Sequence, residues 1–197
     1  MDLFALAVKS FYLPRKVSRS QPLAKVMPRS SLPVLGKADS GKINLELANR
    51  VNKQCGLLLY RSDPLNGLYD MYNHPEHVQH LLETGVYNTS TNDCDDYATF
   101  AQKLFYAAGV SKENAWEWNM IVPWHKQITQ GKWNHVICGF RMGEWTGIID
   151  TNSAARGEPF WFQGNEAEVK RQVLETFSKI YPADYYELVP GNWLDYC

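Results

Sequence analysis

One short run, Asn92-Asp93-Cys94-Asp95-Asp96-Tyr97-Ala98, limits what this chain can fold into more than any other. From Cys94 onward, Tyr97, Ala98, Ala101, Leu104, Phe105 and Ala108 recur at helical spacing, which predicts an amphipathic helix over about residues 93–108. Asn92 or Asp93 caps its start and Gly109 supplies its stop. The thiol therefore stands in the first turn, near the positive end of the helix dipole, where a thiolate is favoured.

Two later segments answer that cysteine. Asn134-His135-Val136-Ile137-Cys138 and Ile148-Ile149-Asp150 read as strands. A cysteine on a helix followed by a histidine and an aspartate on strands is the layout of a papain-like nucleophile, base and orienting acid. Between the two strands, Arg141-Met142-Gly143-Glu144-Trp145 reads as a tight turn. With Met142-Gly143 as its centre, Arg141 pairs with Glu144 and paired numbers sum to 285, which makes His135 and Asp150 direct cross-strand neighbours. Each residue alone has a plainer reading: a buried small thiol, a structural histidine, an acid that ends a strand. Order, element type and spacing together favour Cys94, His135 and Asp150 as a catalytic triad.

On these residues the chain resembles the bacterial transglutaminase-like cysteine proteinases, a family that includes periplasmic adhesin-cleaving proteases. The likeness runs over roughly residues 57–152. It rests on Asp70-Met71-Tyr72, Pro75-Glu76-His77, Gly85, Asp93-Cys94-Asp95-Asp96-Tyr97-Ala98, Ala107-Ala108-Gly109-Val110, His135-Val136 and Asp150-Thr151-Asn152. Asn92 and Asp95 stand where the family usually has glycine and glutamate, and Tyr87–Thr91 is a longer insertion than the family's pattern. The resemblance implies an α+β, papain-like and transglutaminase-like fold, with the catalytic helix on an antiparallel sheet. It also implies the triad named above and cleavage of a peptide bond through a thioester. The alternatives are transglutamination or amidase action on protein side chains by the same triad, and a non-enzymatic interaction protein that keeps the fold.

The acids around Cys94 raise the question of a metal. Asp93, Asp95 and Asp96 suit the helix start, yet negative charge beside a thiol opposes its ionisation. The adhesin-cleaving relatives depend on calcium through acids flanking the cysteine, and Asp93 and Asp95 hold those positions. Calcium at Asp93 and Asp95 is thus the one bound ion the resemblance suggests, against plain helix capping; the chemistry itself requires no cofactor. His74, His77 and His80 tempt a zinc assignment, but only His77 and His80 share a helical face and no acid or cysteine completes the set, so no zinc is assigned and a surface helix is expected.

Charge separates the chain into two parts. Residues 1–42 carry eight Lys/Arg against two acids, a net +6, whereas residues 43–197 carry 12 against 19, a net −7. Pro14, Pro22, Pro28 and Pro33 break every apolar run in the first part, which reads as a basic Pro/Ser-rich arm; residues 43–197 form the peptidase domain. The arm lies on the acidic body or docks an acidic partner. Overall charge of −1 gives no membrane or nucleic-acid signal; a protein or peptide substrate is the partner that the resemblance implies. Cys55, Cys94, Cys138 and Cys197 show no metal spacing and one must stay a free thiol, which points to a reducing compartment, the cytoplasm. Met1–Val8 is apolar without a cationic lead and is a poor signal peptide. Relatives of this kind are often exported, so export stands as the alternative.

The remaining pattern completes an α+β outline. Helices are expected over 42–55 (Ile43, Leu47, Ala48 and Val51 inward), over 75–84 closed by Gly85, and from Gly164-Asn165 onward with Val169, Val173, Leu174 and Phe177 inward. Gly56–Tyr60 extends the core. Strands are expected at 118–122, 133–140 and 145–151, then at 159–162 and 185–189. Trp116, Trp118, Trp124, Trp133 and Trp145 serve the core, with one or two left to line a substrate groove, and Pro123–Gln127 forms a rim loop.

Overall fold

The computed structural model describes residues 30–61, 73–85, 92–123, 125–126, 134–181 and 183–191. Asp70–Tyr72, the Tyr87–Thr91 insertion, Trp124, Trp133, Cys197 and residues 1–29 of the arm lie outside the described residues. Among the described residues three helices come first: α1 (Leu45–Cys55), α2 (Pro75–Thr84) and α3 (Cys94–Ala107). Strands β1 (Ala115–Ile121), β2 (His135–Met142) and β3 (Trp145–Ile149) follow, then α4 (Thr151–Arg156), β4 (Phe160–Gln163), α5 (Glu166–Ile180) and β5 (Glu187–Pro190). The strands form one antiparallel sheet in the order β4-β3-β2-β1-β5. The class is α+β, with the cysteine helix packed on that sheet. Among the described residues no helix is long and apolar enough to cross a membrane.

Both faces of the sheet are covered, which explains why β2 is an unbroken buried run from His135 to Phe140. On one face Val136, Cys138, Phe140 and Ile149 join α1 and α3 through Leu47, Val51, Ala98, Ala101 and Leu104. On the other, Met120, Ile137, Ile148, Phe160 and Phe162 meet Val169, Val173 and Phe177 of α5. Gly147 shows how tight the first layer is. The Phe140 ring lies over it, and a Cβ there would sit 2.1 Å from Phe140 Cζ. Phe140 then meets Phe105 at 5.0 Å and Trp161 at 5.4 Å between centroids.

Several expectations need correction. Gly56–Tyr60 does not extend the core as a block: Leu58 is buried, while Leu57, Leu59 and Tyr60 are exposed. Helix α2 is no surface helix at its histidines, since His74 and His77 are buried. His74, its N-cap, pairs with Glu76, and Lys103 approaches the same carboxylate at 3.8 Å. The first helix starts at Leu45 because Asn44 caps it, its side chain accepting from the Leu47 N–H at 2.8 Å. Residues 30–38, in the described end of the arm, run along the body, and Asp39–Lys42 close a tight turn. Ser30 N–H donates to the Glu76 carbonyl and Ala38 N–H to the Ala108 carbonyl, with Leu32, Leu35 and Ala38 against the core.

The β2–β3 register also differs from the expected one. Cys138 faces Ile149 and Met142 faces Trp145, so paired numbers sum to 287 rather than 285. The reason lies in the turn. Gly143 has φ +61° and stands first in a two-residue Gly143-Glu144 loop, as a II′ hairpin demands. The expected Met142-Gly143 centre puts the glycine second. A shift of two residues preserves the face of every side chain, so His135 and Asp150 become diagonal rather than direct neighbours and still meet.

Candidate active site

Helix α3 begins as its sequence requires. Asp93 is the N-cap and shares a reciprocal capping box with Asp96. Asp96 is fully buried and its carboxylate accepts from Asn73 N–H (2.7 Å), Asn73 Nδ2 (3.1 Å) and Asp93 N–H (3.3 Å). This third acid is therefore a structural tie between the start of α2 and the start of α3. Cys94 follows as the first helical residue and is half-buried. Cys55 and Cys138 differ from it. Both are wholly buried, and burial pushes their thiols up, with the neighbouring Cys55 and Glu117 charges adding to the effect at Cys138. Protonated and shielded, they are poor nucleophiles.

His135 opens β2 at the end of the sheet, where Asn134 accepts from the Val122 N–H at 3.0 Å and ties the strand start to the end of β1. By register its ring faces α5, beside Phe177 (6.2 Å) and Tyr181 (4.5 Å). Asp150, expected on a strand, is instead the N-cap of α4, with a capping box to Ser153. The structure brings His135 and Asp150 together: Nε2 lies 3.3 Å from Oδ2, and both side chains are buried. Burial alone would push the Asp150 carboxyl up. The hydrogen bond and charge of His135, the Ser153 N–H and the Tyr181 hydroxyl outweigh it and hold the group below the ordinary aspartate range.

Three supporting residues are absent from the sequence reading. Ser153 N–H donates to Asp150 Oδ1 at 2.8 Å, and its hydroxyl donates to Asn52 Oδ1 at 2.8 Å. Asn52, on α1, returns a bond from Nδ2 to the Ser153 carbonyl at 3.0 Å. Tyr181, at the C-cap of α5, donates to Asp150 Oδ2 at 2.8 Å. The Asp150-x-x-Ser153 spacing is a readable capping signal. Asn52, a polar residue on the inward stripe of α1, is a weaker one. Nothing in the pattern marks Tyr181.

Cys94 lies at the start of a helix packed on the opposite face of the sheet from α5. Tyr185, ahead of β5, stands within electrostatic reach of both Cys94 and Asp150: its phenol is pushed up by burial first and then by their charges. Arg61 N–H donates to the Asn92 carbonyl at 3.0 Å, which draws the chain after α1 alongside the same helix start.

Among the described residues, one group could hold a metal ion: ligand atoms of Asp93, Cys94 and Asp95 lie within 4.8 Å of one another. Ligands on one calcium ion, bonded at about 2.3–2.6 Å, span about that distance. The two carboxylates are hard oxygen donors and fit a hard cation; a thiolate does not, so Cys94 is a neighbour and not a ligand. Two carboxylates leave most of a calcium shell to carbonyl oxygens or water. His74, His77 and His80 do not converge: His77 and His80 stack at 6.3 Å, His74 faces Glu76, and His80 Nδ1 meets Ser30 Oγ at 3.3 Å.

No protein-family model and no curated protein sequence matches the chain. Solved structures similar to it include calcium-bound LapG of Legionella pneumophila, at 18% identity over 74% of this chain and 76% of that one, with a TM-score of 0.44. EGTA-treated LapG is similar at 18% identity, 78% and 76% coverage and a TM-score of 0.42. A further LapG structure gives 16% identity, 85% and 96% coverage and a TM-score of 0.39.

Proposed function

We propose that this chain is a thiol hydrolase that cleaves an amide bond in a protein or peptide, with Cys94 as nucleophile, His135 as base and Asp150 as orienting acid. The buried hydrogen bond between His135 Nε2 and Asp150 Oδ2 carries this reading. An ionised carboxylate can only accept, so Nε2 bears the proton and Nδ1 is the basic nitrogen of the neutral ring. That tautomer suits a base whose task is to take a proton from a thiol.

In the proposed sequence Nδ1 takes the Cys94 proton and the thiolate attacks the amide carbonyl. Cys94 is the first helical residue, at the helix end whose backbone N–H groups serve as donors to an oxyanion in this mechanism. The C–N bond breaks as the imidazolium returns the proton to the leaving amine, and a thioester remains on Cys94. Water then attacks the thioester, gives its proton to Nδ1, and frees the acid product and the thiol. An amine in place of water would make the same site a transferase.

Calcium, if held by the Asp93 and Asp95 carboxylates, supplies positive charge beside the thiol. That charge would offset the crowded acids of the helix start.

The test compares peptide mixtures incubated with wild-type, Cys94→Ala and His135→Ala proteins, with new termini read by mass spectrometry. New termini are expected with wild type, and a loss of more than about 10³-fold in both variants with circular dichroism unchanged. Equal cleavage by Cys94→Ala would overturn the mechanism.

A further inference from the structure

The Asp150 carboxylate is held from three sides. Oδ1 accepts from Ser153 N–H at 2.8 Å, while Oδ2 accepts from His135 Nε2 at 3.3 Å and from the Tyr181 hydroxyl at 2.8 Å. Tyr181 has a single hydroxyl hydrogen and the carboxylate can only accept it. The 2.7 Å contact between Tyr181 and Thr151 hydroxyls must then be donated by Thr151. A directed chain results, running from Thr151 to Tyr181 to Asp150.

The same tyrosine also touches the other member of the pair. Its ring lies against the His135 imidazole at 4.5 Å between centroids, tilted by 48°. Tyr181 is itself fixed at the end of α5: its N–H donates to the Phe177 carbonyl at 2.8 Å, and its ring stacks on Phe177 at 6.2 Å. One side chain thus bonds the acid and walls the base, from an element that supplies neither.

We propose that Tyr181 is a positioning residue for the His135–Asp150 pair, its hydroxyl fixing the carboxylate and its ring holding the imidazole in the plane that presents Nδ1 outward. This rests on the reading of that pair as base and orienting acid. Loss of the hydroxyl leaves the carboxylate held only by Ser153 N–H on Oδ1 and by the longer His135 bond on Oδ2. Loss of the ring leaves the imidazole free to swing and to exchange tautomers.

Burial, and after it the Asp150 charge, pushes the Tyr181 phenol up, so the hydroxyl remains a donor at working pH. Among the described residues, the titratable groups bonded to Asp150 are His135 from β2 and Tyr181 from α5, and Tyr185, from the segment before β5, lies within electrostatic reach.

Tyr181→Phe and Tyr181→Leu separate the two contributions, and NMR reads the pair without any substrate. In Tyr181→Phe the Asp150 carboxyl carbon should titrate at higher pH than in wild type, and the His135 Nε2–H resonance should move. Turnover should fall roughly tenfold with little change in Tm. In Tyr181→Leu an Nδ1–H tautomer of His135 should appear and turnover should fall roughly a hundredfold. Should the leucine variant fail to fold, the phenylalanine variant decides alone. A merely structural tyrosine would lower Tm and leave both resonances in place, and that outcome overturns the proposal. Shifted resonances in a wild-type protein that cleaves nothing would sink the hydrolase reading and leave the hold of Tyr181 on the pair standing.

Discussion

The two ends of the candidate site handle negative charge in opposite ways. At Asp150 a buried carboxylate is answered by an imidazole, a backbone N–H and a phenol, so it stays ionised in a place water does not reach. At the start of α3 three carboxylates gather within one turn. Asp96 is answered by two donors from Asn73 and by the Asp93 N–H, while Asp93 and Asp95 stand with the Cys94 sulfur inside 4.8 Å. Burial with donors fixes geometry; like charges beside a thiol resist its ionisation. The first end is already complete in the fold. In the proposed mechanism the second needs a positive partner for Cys94 to ionise, and His135 and a bound cation are the two candidates.

Changes at the completed end should have the largest effects. Asp150→Asn should cut turnover roughly a hundredfold or more, because an amide can present its NH₂ to Nε2 and favour the wrong tautomer. Its stability cost should depend on pH. Asp150 is held below the ordinary aspartate range in the folded state, so its contribution is fully present above that range and is lost as pH falls through the folded value. The gap in unfolding free energy between wild type and Asp150→Asn should therefore be flat near neutral pH and close below about pH 4. A gap that widens on acidification would mean the carboxylate is not the stabilised form.

Asp96→Ala sharpens the comparison from the other side. It strips the acceptor from three N–H donors in a buried setting and should destabilise the protein by about 3 kcal/mol, measured by urea unfolding. Asp95→Ala, which removes charge next to the thiol, should instead speed Cys94 alkylation in chelator. Equal destabilisation by the two changes would erase the distinction drawn between a structural and an electrostatic acid. The smallest effect is expected from chelation itself: removal of calcium should slow Cys94 alkylation a few-fold, with calcium and not magnesium restoring it, since magnesium demands a tighter octahedral shell. Rates indifferent to chelator would leave His135 as the sole source of positive charge.

Much of this arrangement was legible in the chain. The Cys94 helix, α2 with its Gly85 stop and α5 with its Asn165 cap follow from apolar spacing and punctuation, because local rules set them. What escaped depends on geometry that spacing does not encode. The hairpin centre turned on which loop position needs a positive φ at Gly143, and a wrong centre moved the register by two. His135 and Asp150 still met because strand side chains repeat with period two. Helix α4 is only six residues long and carries no apolar stripe, so Asp150 read as a strand end and not as a cap. Tyr181 lies 31 residues beyond Asp150 on another element and reaches it through the packing of α5 on the sheet.

The central claim is that Cys94, and not another thiol, is activated by the His135–Asp150 pair. Its most direct test is site-resolved alkylation with iodoacetamide at neutral pH, read by mass spectrometry at Cys55, Cys94 and Cys138 in wild type and His135→Ala. The account predicts rapid modification of Cys94, negligible modification of buried Cys55 and Cys138, and a fall of roughly tenfold or more at Cys94 when His135 is removed. A Cys94 rate equal in the two proteins, no faster than an ordinary exposed thiol, would contradict it.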